Sequence, residues 1–394
     1  MEVRKGYRKT DVGMIPKDWG VKKLGDITKT VASGKSKSKA DSGLYTVYGS
    51  TGVIGFNYDF DYEGERILVA RVGANAGTVN RVEGKYCVSD NTLIVDLKCD
   101  FDFSYAFYFL KYYNLNKLIF GSGQPLITGS QLKNLQIPLP PTKAEQTAIA
   151  TTLSDADALI SSLEKLIAKK RNIKQGAMQE LLMPKEGCMM KKLGEIFTFS
   201  GGYSASREQL SNDGFCYLHY GDIHGAKKTF INVKNEYTEI PKLKILLKNV
   251  SPKSLLSDGD IVFVDASEDD EGTSRHIVVK NPDGIPYISG LHTIVAKSKD
   301  NSLDNDFKRY CFQTKVVKGQ FKFYAVGTKV SGISKTNIAK IEIAIPSKAE
   351  QTRIATILSD MDAEIEHLDQ KLDKYRMIKQ GMMQELLTGK TRLI

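Results

Sequence analysis

KAEQTAIATTLSDADA, beginning at Lys143, returns as KAEQTRIATILSDMDA at Lys348, and IKQGAMQELL from Ile173 returns as IKQGMMQELL from Ile378. Both matches lie at one offset, 205 residues, so the chain is internally repeated, and a repeat decides the architecture before local signals do. A weaker echo links IPKDWGVKKLGDI from Ile15 to MPKEGCMMKKLGEI from Met183. The unit is therefore a variable segment followed by a shared one, twice over.

The shared segments predict two long helices. Thr142 and Ser347 stand three residues before Glu145 and Glu350, the capping-box spacing in which the hydroxyl takes the N3 amide and the carboxylate returns to the N-cap amide. Pro184 and Gly389 stop the pattern, leaving roughly 40 residues per helix, or ~60 Å at ~1.5 Å per residue. Ile149, Leu153, Ala156, Ile160, Leu163 and Ile167 step by fours and threes, as do Ile354, Leu358, Met361, Ile365, Leu368, Leu372 and Tyr375. That is a heptad seam, and it predicts an intramolecular antiparallel coiled coil. Leu159, Leu166, Ile173, Ile357 and Ile378 lie off the seam; they widen the stripe beyond what two strands need and predict a partner-binding surface.

The repeat divides the chain into residues 1–141, a first variable domain; 142–187, a central helix; 188–346, a second variable domain; and 347–394, a C-terminal helix. ILVARV (67–72), NTLIVDL (91–97), DIVFVDA (260–266) and HIVVK (276–280) read as strands between Gly, Asn, Asp and Ser turns. FDFSYAFYFLKYY from Phe101 and DFKRYCFQTK from Asp306 read as helices. The expected fold class is α+β: two globular domains joined by two helices, with a pseudo-two-fold repeat.

Composition sets outer limits. The chain has 394 residues, 41% of them apolar, and 56 Lys and Arg against 46 Asp and Glu, a net charge of +10. These values exclude a disordered or collagen-like chain. No apolar run is long enough to span a bilayer and the first twenty residues contain no signal-peptide core, so the expectation is cytoplasmic, with no membrane. Five cysteines without a CxxC pair suggest neither a disulfide framework nor a zinc site. The positive excess sits in the variable domains, at +5 and +4, while the helical segments carry +1 and 0. Two different basic domains on one rod suit a reader of two DNA half-sites.

Catalytic signals are weak. No glycine-rich cofactor loop is followed by an Asn/Asp-Pro-Pro-aromatic motif, and Asn281-Pro282-Asp283-Gly284 reads as a turn. VASGKS (31–36) has Lys29 where a phosphate loop needs its first glycine. Asp61 with Glu83 and Lys85, and the acidic run Glu268, Asp269, Asp270, Glu271, have nuclease-like spacing of a kind that arises by chance. His219, His224, His276, His292 and His367 show no paired ligand spacing, and no metal is expected. Base reading uses Arg, Lys, Asn, Gln and Ser on loops. The candidates are Lys35, Lys37, Ser50, Thr51, Arg71, Asn75, Asn91 and Gln124 in the first domain. In the second they are Arg207, Tyr220, Asp222, His224, Arg275, His276, Lys329 and Ser331.

The helix starts IPLPPTKAEQTAIA (137–150) and IAIPSKAEQTRIA (343–355) carry a family resemblance. So do Tyr48-Gly49-Ser50-Thr51-Gly52, Gly121-Ser122-Gly123-Gln124-Pro125 and Gly327-Thr328-Lys329-Val330-Ser331-Gly332-Ile333. Over essentially its whole length the chain resembles the specificity subunit of type I restriction-modification systems. The resemblance implies two target-recognition domains, each reading half of a split double-stranded DNA sequence, and two methyltransferase subunits docked on the coil, which restriction subunits can join. It implies no catalytic residue and no cofactor in this chain; S-adenosylmethionine, ATP and Mg would belong to the partners. Two other classes stay open on the residues alone: a scaffold that binds no DNA, and a nucleic-acid enzyme with an unrecognised site.

Overall fold

The computed structural model describes residues 5–36, 39–119, 125–226, 228–267, 272–327 and 330–393. It divides into two compact units, Met1–Leu166 with Leu368–Ile394, and Ile167–His367. The division cuts both long helices, so each unit holds one α+β domain and half of each helix.

The long helices run Lys143–Leu181 and Lys348–Leu386, 39 residues each. Thr142 Oγ1 accepts from the Glu145 amide at 3.2 Å and Ser347 Oγ from the Glu350 amide at 3.3 Å, the hydroxyl half of the expected box. The carboxylates serve elsewhere. Glu145 pairs with Arg392, and Glu350 with Arg353 and Lys185, because a guanidinium or ammonium within reach attracts a carboxylate more strongly than a neutral amide does.

The adjoining Gln of each KAEQ motif has the structural role instead. Gln146 Oε1 takes the Asp102 amide at 3.0 Å and its Nε2 donates to Pro140 O at 3.4 Å. Gln351 repeats this with the Asp304 amide at 2.7 Å and with Ser302 O and Pro346 O at 2.9 Å. Both glutamines are buried. They satisfy backbone groups that burial would otherwise leave unpaired, at a cost of ~1–3 kcal/mol each.

Seven of the seam residues are buried, Ile149, Leu153, Leu163 and Ile167 on one helix and Ile354, Leu358 and Leu372 on the other, while Ala156, Ile160, Met361, Ile365, Leu368 and Tyr375 are half-buried. Within the first unit Glu164 pairs with Arg376 and Asp157 with Lys379. Within the second Lys170 pairs with Glu364 and Lys174 with Asp362. In each unit partner numbers fall as the other helix's rise, so the helices are antiparallel there. The repeated aspartates are hubs. Tyr108 Oη donates to Asp157 at 2.9 Å and Tyr310 Oη to Asp362 at 2.8 Å, tying the second Asp of SDxDA to the Lys of IKQG and to an aromatic helix. Those helices are Phe103–Tyr113, and in the second unit Lys308–Cys311 followed by Lys315–Tyr324, shorter than the sequence suggested.

The first unit has two four-stranded sheets. One orders Thr28–Ser33, Thr92–Leu97, Arg66–Ala70 and Val79–Val82; the other Gly52–Asn57, Tyr45–Gly49, Lys85–Val88 and Tyr62–Glu63. The second unit repeats the plan with Phe197–Gly201, Thr293–Ser298, Ile261–Val264, His276–Lys280 and Phe230–Asn232. A four-stranded sheet follows, Leu210–Ser211, Lys242–Leu243, Phe215–Leu218 and Tyr287–Ser289. The weak echo is real. Gly20–Lys23 and Met189–Lys192 pair antiparallel with Gln136–Leu139 and Glu342–Ile345, and each leads into a one-turn helix with buried Leu24 and Ile27, or Leu193 and Ile196.

Both faces of the five-stranded sheet are covered. Ile261, Phe263, Val278 and Ile294 join one core and Val262, Val264, Ile277 and Val295 another. A strand buried on both faces has no solvent side, which corrects one expectation. His276 is a core residue, 5% exposed, its ring 5.6 Å from Phe263 and 5.1 Å from Phe312. It has no surface to offer a base.

Candidate nucleic-acid interface

The strand registers make the two units comparable residue by residue. In the first, Ala70 pairs with Thr92; in the second, Val264 pairs with Thr293. The residues just beyond are Arg71 opposite Asn91, and Asp265 opposite His292. The backbone agrees: Arg71 N donates to Asn91 O at 3.0 Å and Asp265 N to His292 O at 3.2 Å. Ile127 N donates to Arg71 O at 2.8 Å and Ile333 N to Asp265 O at 2.7 Å. The parallel pairs Val88 with Tyr48 and Ser289 with Leu218 extend the match, so the turn beginning at Gly49 corresponds to that beginning at His219. Each unit therefore gathers three loops at one end of its sheets: the turn after a parallel strand, the residue after a central strand with its partner, and the segment before a short capped helix.

Several of the expected residues lie on or beside these loops. In the first unit, Arg71 Nη1 donates to Ser33 Oγ at 2.7 Å and reaches Asp90 O at 3.4 Å, while its Nε is buried without a hydrogen-bond partner. Asn91 and Thr51 are exposed and Ser50 is half-buried. Lys35 is exposed, its ammonium 5.9 Å from the Tyr62 ring. Asn75 is exposed in a turn where its carbonyl accepts from Thr78 N at 3.0 Å; Gly73 N in the same turn donates to Pro125 O at 3.1 Å. Lys37, Gln124 and Lys329, and the acidic run 268–271, lie outside the described residues.

The second unit's rim is built around Tyr220. Its ring lies 4.5 Å from His219, 6.2 Å from His224 and 5.5 Å from His292. Arg207 Nη2 donates to Asp222 Oδ1 at 2.6 Å and lies 3.2 Å from His219 Nδ1. The Gly221 amide donates to the same Nδ1 at 3.1 Å, which makes Nδ1 an acceptor and puts the neutral ring's proton on Nε2. Burial, then the Arg207 charge, lower the His219 pKa, so the neutral ring is favoured. Arg275 Nη1 donates to His224 O at 2.5 Å. Ser331 pairs with Ser267 in a two-residue ladder.

Asp265 and His292 were not singled out by sequence. His292 adopts φ +59°, uncommon for a non-glycine residue and a pointer to a constrained site. Its Nδ1 is 3.3 Å from Asp265 Oδ1, yet that oxygen has no well-aligned hydrogen bond. The available signal was that IVFVD ends as ILVAR does, but only the strand register aligns those ends.

On the helices, Leu159, Leu166, Ile173 and Ile378 are 38–46% exposed, and Ile357 is half-buried, an apolar set that the seam does not use. Among the described residues no three His, Cys, Asp or Glu side chains are grouped to hold a metal, and no helix is long and apolar enough to cross a membrane. Asn281 forms the expected turn, with Gly284 N donating to its carbonyl at 3.1 Å.

Comparison with known proteins agrees with this doubled plan. The family model described as type I restriction modification DNA specificity domain matches twice, over residues 16–174 and 185–374. The putative type I restriction enzyme MjaX specificity subunit of Methanocaldococcus jannaschii is 26% identical, over 98% of this chain and 97% of its own. The MjaVIII specificity subunit of the same organism is also 26% identical, over 96% and 94%. The crystal structure of the type I restriction-modification S subunit from M. genitalium superposes with a TM-score of 0.61 at 18% identity, covering 98% of both chains. Matched by the family model over both halves, the chain belongs to the type I restriction-modification DNA specificity family.

Proposed function

We propose that this chain is the specificity subunit that directs a type I restriction-modification enzyme to a split, asymmetric DNA sequence, each unit reading one half. The observation that carries the reading is the pair of rims: one backbone register, presented twice, with different side chains at matched positions. A duplicated reader with diverged readout residues suits a target whose halves differ.

Two methyltransferase subunits would dock on the long helices, on the apolar positions Leu159, Leu166 and Ile378 of the first unit and Ile173 and Ile357 of the second, and restriction subunits would join them. One solved relative, with a TM-score of 0.56 at 14% identity, comes from work titled as complex assembly and conformational transition of the type I R-M system. The chain would perform no chemistry itself. S-adenosylmethionine, ATP and Mg would be bound by the partners.

A genome-wide map of N6-methyladenine tests this reading, with the gene intact, deleted, and with residues 188–346 exchanged for another such domain. Deletion should erase one split motif, and the exchange should change only one of its halves. If the partner methyltransferase is expressed and active while the map does not move, the reading is wrong.

A further inference from the structure

We infer that Arg71 and Asp265 are matched base-reading positions of opposite polarity. Arg71 would take the acceptor edge of a guanine in one half-site, and Asp265 an exocyclic amino group, that of cytosine or adenine, in the other. The inference rests on the DNA-specificity reading above and extends it to individual residues.

The equivalence comes from hydrogen-bond register, not sequence similarity. Each residue follows the last paired position of a central strand, donates its amide to the residue opposite, and accepts from the isoleucine of the loop before a capped helix. The same backbone thus delivers a guanidinium in one unit and a carboxylate in the other. A guanidinium matches guanine O6 and N7, two acceptors side by side, whereas a carboxylate can only accept and so requires an amino group.

Both side chains are also incompletely satisfied within the protein. Arg71 Nε is buried without a hydrogen-bond partner, and Asp265 Oδ1, also buried, has only the poorly aligned ion-pair contact with His292 Nδ1 at 3.3 Å. Buried polar groups are paired in the great majority of cases, and an exception calls for a reason. Each group is meanwhile held in place: Arg71 through Nη1 on Ser33 Oγ, Asp265 beside His292, whose backbone adopts φ +59°. Fixed, partly unpaired polar groups on a loop rim are suited to a ligand that supplies the missing partner.

The test uses the full chain with its partner methyltransferase, in a host without restriction activity, and reads the methylated motif by sequencing. The wild type should show a guanine in the half-site that survives exchange of residues 188–346, and a cytosine or adenine in the half-site that changes. Arg71→Gln should relax that guanine about 10-fold relative to other bases and leave the other half intact. Arg71→Lys, which keeps the charge but not the fork, should retain a weaker guanine preference. Asp265→Asn should relax one position of the other half only; whether cytosine or adenine is lost identifies the amino group. The inference is overturned if either variant relaxes the wrong half, or keeps its motif unchanged. It is equally overturned if a variant that still melts and co-purifies as wild type loses methylation at all sites alike, the signature of a phosphate contact. A wild type with no motif at all would instead defeat the specificity reading itself.

Discussion

Acid should loosen the second unit through one ring. His276 lies between Phe263 and Phe312 on a strand covered on both faces, and its Nε2 has no hydrogen-bond partner. Burial pushes its pKa down from 6.5 to about 4. Between those values the unfolded chain binds a proton that the folded chain refuses. Stability is therefore complete above about pH 6.5 and declines as pH falls toward about 4. At about 1.4 kcal/mol per pH unit the full window amounts to about 3 kcal/mol, a large share of the ~5–15 kcal/mol that holds a domain together. Urea unfolding followed by hydrogen exchange of peptides spanning 261–280 measures it, at pH 7 and pH 4, for wild type and for His276→Phe. Carboxylates titrate in both proteins, so the difference isolates the ring. The wild type should lose about 3 kcal/mol more than the variant, with His276→Gln as a smaller neutral control should the phenylalanine overfill the site. Equal losses in all three would refute the argument.

Other outcomes can be checked alongside. Gln351→Ala strands the Asp304 amide and two partly buried carbonyls and should cost about 1–3 kcal/mol in urea unfolding; Gln146→Ala should behave alike in the first unit. Asp362→Asn removes the charge that meets Lys174 while Tyr310 keeps its acceptor; a double-mutant cycle with Lys174→Met should give a coupling of about 1 kcal/mol, since neither side chain is fully buried. The Arg353 and Lys185 charges hold the half-buried Glu350 carboxyl down at about 2, so its pairing should persist below the ordinary carboxylate range and fail only as pH drops through about 2, visible as a carboxyl chemical-shift titration. Leu159→Lys, Leu166→Lys and Ile378→Lys should shift the unfolding midpoint little yet weaken methyltransferase binding at least tenfold by calorimetry.

Some of this was legible because it is local. Heptad spacing depends on which residues lie three and four apart, and Thr142 and Ser347 announce the helix starts within a few positions. The Asp157–Lys379 and Lys174–Asp362 pairs were not, although their partners sit in the repeated motifs: nothing in the sequence says that the Lys of IKQG meets the Asp of SDxDA until the two helices are antiparallel. His276 misled because a lone polar residue among β-branched neighbours looks like an exposed face, and only the second packed layer shows otherwise. Arg71 was found by residue type. Asp265 was not, because the two variable domains share a hydrogen-bond register without sharing side chains, and register is a property of paired strands.

The hold of Arg392 on Asp18 and Glu145, and of Tyr7 Oη on the Gly389 carbonyl at 3.0 Å, bears on how the protein is made. Leu386 and Leu387 belong to the same core as Leu24 and Leu153, yet Leu386 emerges 233 positions after Leu153. At about 5–20 residues per second the ribosome needs roughly 10–50 s to cover that gap. The second unit, contiguous from 167 to 367, has all its residues available first. The first unit waits with an open apolar side until the last turn of its closing helix leaves the exit tunnel. Completion order is thus the reverse of chain order, and the time taken to make the whole intervening second unit and the closing helix sets how long the earliest-made domain stays unfinished.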